Sequence, residues 1–150
     1  MKKYSIIGVG VWILGWSSLS LAASESISVS KVTQCTTEMS STLKRDMGVR
    51  VLNVALDTLG VSKDAVTFKM VLQKGARYVF VACGEETFNN LDIKVYNGEG
   101  LLIQMDNQTG RRPMLQFQPP ETGFYLLRIT SKEGTGYFSF LTMMKIVNIP

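Results

Sequence analysis

The chain contains no histidine. That removes the usual Ser-His and Cys-His pairs for nucleophilic catalysis, and it removes imidazole-based zinc sites. Two short motifs remain to be weighed. Ser41-Thr42-Leu43-Lys44 has the S-x-x-K spacing of serine β-lactamases, yet the chain has neither Ser-Asp-Asn nor Lys-Thr-Gly and is far too short for that fold. Gly134-Thr135-Gly136 has the look of a phosphate loop, but no helical pattern follows it to supply an anion-binding N-terminus. A hairpin turn accounts for it better.

The carboxylates Glu85, Glu86, Asp92, Glu99, Asp106 and Glu121 fall at expected turns or strand edges. Acids there are solvated by default, and no pair of them marks a hydrolytic cleft. The spacing of Glu85, Glu86, Asn90 and Asp92 matches no calcium loop, and neither cysteine has metal-site spacing. The expectation is therefore no catalytic set, no metal and no cofactor. Binding is the chemistry left, through two polar loops at residues 84–90 and 106–113. Their most useful side chains are Phe88, Asn90, Asn107, Arg111 and Arg112. Tyr78, Tyr96, Phe88 and Phe124 offer aromatic surface for a sugar or peptide, with core packing as the alternative.

The elements that position these loops follow from hydrophobic period. Ser24 to Thr42 has few apolar residues and reads as an extended arm or short strand. Met39, Leu43, Met47, Val51, Ala55 and Leu59 recur every four residues and predict one helix over this span. Ser40 to Thr42 would cap it and Gly60 would end it. Gly48 weakens that helix, and a strand from Val49 to Leu56 is the rival reading.

From Ala65 the period becomes two. Strands are predicted near 65–72, 77–83, 91–96, 101–105, 114–118, 124–130 and 137–144, separated by Gly, Asn and Pro turns. The 77–83 strand is apolar on both faces and should be central. The expected fold is mainly β, a jelly-roll-like antiparallel sandwich over residues 65–150, with a helix from the 23–64 segment packed on it.

The N-terminus shows a three-part pattern: basic Lys2-Lys3, an apolar run from Ile6 to Trp16, then the small residues Ser20-Leu21-Ala22. This predicts a signal peptide cleaved after Ala22, with an uncleaved anchor as the alternative. Cleavage lowers the formal charge of +4 by two. The remaining cations are scattered among acids, so neither nucleic acid nor membrane is an expected partner after cleavage. The expected location is the periplasm or outside the cell. In an oxidising compartment Cys35 and Cys83 read as one disulfide, closing a loop of about 49 residues worth roughly 4 kcal/mol. Two buried free thiols are the alternative.

Several segments carry a family likeness: Leu91-Asp92-Ile93-Lys94-Val95-Tyr96-Asn97, then Gly98 and Gly100, then Thr122-Gly123-Phe124-Tyr125-Leu126-Leu127-Arg128-Ile129, then Gly136-Tyr137-Phe138-Ser139-Phe140. The stretch from about Val66 to Met144 resembles the bacterial pre-peptidase C-terminal domain. The resemblance implies a jelly-roll-like sandwich that serves substrate or surface contact, usually trailing a secreted protease. The sequence departs from that pattern in that no enzyme is expected ahead of the sandwich. Within the resemblance, Gly123 is expected to supply a special turn conformation, with Tyr125 pointing inward. The expected function is a non-catalytic module contacting protein or glycan. The alternative is an inhibitor or adaptor of an enzyme, presenting the 106–113 loop. The apolar helix face must pack on the sandwich or form a homodimer through the N-terminal helix.

Overall fold

A computed structural model describes residues 19–60, 63–106 and 108–146. The described residues form one helix, α1 (Leu19–Met47), followed by eight strands: β1 (Arg50–Leu59), β2 (Ala65–Leu72), β3 (Ala76–Gly84), β4 (Asn90–Asn97), β5 (Leu102–Met105), β6 (Met114–Phe117), β7 (Gly123–Glu133) and β8 (Gly136–Ile146). The strands make two antiparallel four-stranded sheets, ordered β1-β8-β3-β6 and β2-β7-β4-β5. The molecule is a β-sandwich with one N-terminal helix, as expected, and the seven strands predicted after Ala65 all form.

Three layers result. Phe80, Phe138, Phe140, Leu127, Ile129 and Ile93 fill the space between the sheets, and the rings of Phe68 and Phe140 stack 4.8 Å apart. On the other side of the first sheet, Val79, Val81, Leu141 and Met143 meet Leu43, Met39 and Met47 of α1. This explains the two-faced apolar character of β3. Tyr78, Phe80 and Ala82 point into the sandwich, while Val79 and Val81 point at the helix.

The helix lies elsewhere than its apolar period predicts. Ser24 to Thr42 is helical, not extended, and residues 50–59 are a strand paired with β8. The rival strand reading is the correct one, and the sandwich takes in residues that precede Ala65. Two physical causes explain the shift. A spacing of four suits a helix, but it also keeps residues on one face of a regular strand, so Ala55 and Leu59 fit both, while a bulge between Val51 and Asn53 turns Val51 to the helix side. And the buried stripe of α1 runs through Val32, Thr36, Ser40 and Leu43, so half of it is polar. Hydroxyls along the helix bond locally, Thr36 in the buried stripe and Thr37 and Ser41 on the exposed side. Thr36 Oγ1 donates to Thr33 O at 3.0 Å, and Ser41 and Thr37 donate one turn back. Ser40 to Thr42 are therefore mid-helix residues, not caps. Gly48 is the true stop: its φ is +64 and its N–H donates to Lys44 O at 3.1 Å.

Gly123 does not adopt positive φ and a Cβ there would meet nothing, so the expected special conformation is absent. Tyr125 is buried as expected, and its hydroxyl donates to Glu121 O at 3.0 Å. The basic and apolar parts of the expected signal lie outside the described residues, and α1 runs through Ala22. Among the described residues no helix is long and apolar enough to cross a membrane.

Candidate functional site

Cys83 lies next to the end of β3, on the helix-facing side, opposite Cys35 of α1. The two form a disulfide with Cα atoms 6.1 Å apart across 48 positions of sequence. Met39 Sδ packs 3.6 Å from the Cys83 sulfur. One helical turn earlier, Ser139 Oγ of β8 donates to Val32 O at 2.7 Å. The middle of α1 is thus fixed to the first sheet by a covalent bond, a buried hydrogen bond and apolar packing.

Beside the disulfide runs a groove of about 490 Å³. Its helix wall carries Lys31, Gln34 and Glu38. Glu85, Glu86 and Thr87 form the facing loop, and Arg111 and Arg112 close one end. Lys31 Nζ reaches Glu86 at 3.7 Å across it, with both side chains largely exposed. Such a pair adds little stability and yields easily to a ligand.

Both loops are held by backbone contacts. Gly84 N–H donates to Arg111 O at 2.8 Å, Ala82 N–H to Pro113 O at 3.1 Å and Leu91 N–H to Gly110 O at 2.9 Å. The 110–113 segment is therefore clamped along β3 and the start of β4, and does not stand out as a free anchor. Glu85 accepts from Tyr137 N–H at 3.0 Å. Gly134, at φ +97, lets the β7–β8 turn press against the backbone of Thr87 and Phe88, where any Cβ would collide.

The expected binding residues fall into two groups. Arg111 and Arg112 line the groove, Arg111 half-buried and Arg112 exposed. Phe88 does not: at 3% exposure it is a core residue packed near Leu91 and Gly84, so its expected contact role is corrected. Its apolar side chain anchors the loop instead. Asn90 is likewise structural. Its Oδ1 accepts from Gly110 N–H at 2.9 Å and its Nδ2 donates to Asp92 at 3.1 Å, tying the two loops together. Asn107 lies outside the described residues. Of the aromatic candidates, Tyr78 is buried with Phe88, Tyr96 is half-buried, and Phe124 is exposed on the far sheet.

Lys31, Glu38 and Glu85 were missed as groove residues. No local signal marks them, because α1 was not expected there and Glu85 reads as a turn acid. Among the described residues no cluster of three or more acidic or thiol groups could hold a metal ion. The mixed charges can recognise a ligand by complementary ion pairs and hydrogen bonds. No family model matches the chain, and no curated protein matches it in sequence.

Proposed function

We propose that the chain is an exported, non-catalytic binding module, and that its ligand seats in the groove between α1 and the 84–87 and 110–112 loops. The observation that carries this reading is a preformed groove whose walls are tied by a disulfide and by backbone hydrogen bonds. Rigid walls cut the ordering cost of binding. Cations (Lys31, Arg111, Arg112) and acids (Glu38, Glu85, Glu86) share the groove. That mixture suits a protein segment with both charge signs better than a neutral glycan. The disulfide agrees with an oxidising compartment, and so with export. The likeness to the pre-peptidase C-terminal domain agrees with a contact role.

The test is affinity capture from a periplasmic and envelope fraction, with a glycan array alongside, comparing the wild type with the Arg111→Ala/Arg112→Ala variant. Capture of a protein by the wild type and its loss by the variant supports the reading. Undiminished binding of every ligand by the folded variant sinks the groove as the site.

A further inference from the structure

The second sheet has one face in the core and an opposite face that, among the described residues, is open at Lys69, Val71, Phe124 and Arg128. Register fixes which side chains share the open face. Thr67, Lys69 and Val71 of β2 pair with Arg128, Leu126 and Phe124 of β7. Lys94 and Tyr96 of β4 pair with the same Arg128 and Leu126 from the other side, and Lys94 pairs with Met105 of β5. Lys132, at the end of β7, reaches Asp92 of the same face at 3.9 Å. Four cations scattered in sequence are thereby gathered on one surface. Asp92 on that face is only 4% exposed and flanked by Lys94 and Lys132 at 3.9 Å each, while two exposed acids, Glu99 and Glu121, lie at the rim beside Phe124.

Two features argue that this is more than a solvated face. Lys94 and Arg128 stand directly opposite each other, an arrangement that like charges disfavour. And the cations lie between uncovered apolar margins. Val71 is 57% and Phe124 56% exposed on one side, with Lys69 Nζ held 4.5 Å over the Phe124 ring. Ile103 and Met105 are exposed on the edge strand β5, next to exposed Leu101 and Leu102. A polyanionic chain would use the charges and leave the margins idle. A flat, anionic bilayer surface uses both, headgroups against the cations and the interface against the apolar rims.

We infer that the open face of the β2-β7-β4-β5 sheet is a peripheral docking surface for an anionic phospholipid bilayer. This surface is independent of the groove, which lies against the other sheet.

The test is co-sedimentation of the full chain with phosphatidylcholine vesicles, with and without about 30% phosphatidylglycerol. The apolar Ile6–Trp16 segment is common to all variants, so the difference between the two vesicle types isolates the charge effect. At roughly fivefold per cation near the surface, Lys69→Gln/Arg128→Gln is expected to lower affinity for the anionic vesicles about thirtyfold. Affinity for neutral vesicles should stay unchanged. Phe124→Ser is expected to weaken anionic binding further, and salt should weaken the wild type more than the double variant. Equal anionic binding by wild type and a folded double variant overturns the proposal. So does a result in which dextran sulfate binds as tightly as the vesicles and Phe124→Ser changes neither, which would assign the face to a soluble polyanion.

Discussion

The two sheets of this sandwich meet the same core from opposite sides, and their outer faces have opposite fates. The outer face of β1-β8-β3-β6 lies under α1. It is apolar along β3 and β8 and is pinned by the Cys35–Cys83 bridge. The outer face of β2-β7-β4-β5 is largely open among the described residues and carries Lys69, Lys94, Arg128 and Lys132. A face that is to be covered must be apolar or small, because burial penalises unpaired charge. A face left in water is free to collect charge. The contrast separates the part of the molecule that stabilises it from the part free to make contacts. The cover is also incomplete. Leu52, Val54 and Leu56 of β1 remain exposed because α1 packs chiefly on β8 and β3.

Removing the cover's staple should have the largest effect. Cys35→Ala/Cys83→Ala is expected to cost about 4 kcal/mol by the loop-entropy argument. Denaturant titration of the wild type with and without reductant should show the same loss. If helix packing alone held α1, the two curves would coincide.

Next come matched truncations on the two faces. Met143→Ala, fully buried beneath α1, is expected to cost about 2–4 kcal/mol. Val71→Ala on the open face should stay within about 0.5 kcal/mol. Equal losses in thermal or chemical unfolding would mean that the open face is covered in solution, for instance by a second copy.

Smaller again, and opposite in sign, is the effect of relieving the like-charge pair. Arg128→Thr is expected to raise stability by about 0.2–0.5 kcal/mol, because it removes repulsion with Lys94 and places a β-branched residue opposite Thr67. A stability gain together with weaker vesicle binding would mark Arg128 as kept for contact and not for folding. A stability loss would show that Arg128 supports the sheet.

How much of this was legible in the sequence depends on how local each feature is. The strands after Ala65 were readable because alternation and turn residues act over a few positions. Asn97 shows this well. Its side chain accepts from Glu99 N–H and Leu101 N–H, so the turn is written within five residues. The helix was misplaced because its buried stripe uses Thr36 and Ser40, and because a four-residue repeat cannot tell Val51–Leu59 as helix from strand. The groove was half legible. Arg111 and Arg112 follow from loop composition, but Lys31 and Glu38 depend on where α1 docks. Phe88 looked like an exposed loop aromatic because nothing local tells that Gly134 brings another turn over it. The basic face was invisible, since Lys69, Lys94 and Arg128 become neighbours only through the order β2-β7-β4.

The smallest expected effect lies at the β1 edge of the covered sheet. Burial raises the Asp57 carboxyl pKa. The Lys63 ammonium at 2.7 Å and the Thr58 N–H outweigh that and leave it below its ordinary value. A carboxylate depressed in the folded state contributes stability above its unfolded pKa, and that contribution is lost as pH falls through the folded pKa. Asp57 and Lys63 are 32% and 45% exposed, so screening keeps the contribution to about 0.2–1 kcal/mol. Lys63→Met should therefore lower stability slightly at pH 6 and 0.1 M salt, and the difference from wild type should shrink below about pH 4. The same pair places two charged groups at the edge strand β1, near the exposed Leu52, Val54 and Leu56, and charges on edges deter strand-to-strand association. Asp57→Val should then cost little in monomer stability but promote self-association in sedimentation velocity. If the Asp57→Val chain stayed monomeric, exposed Leu52, Val54 and Leu56 would not suffice to drive edge pairing, and the bare rim of the covered sheet would be inert.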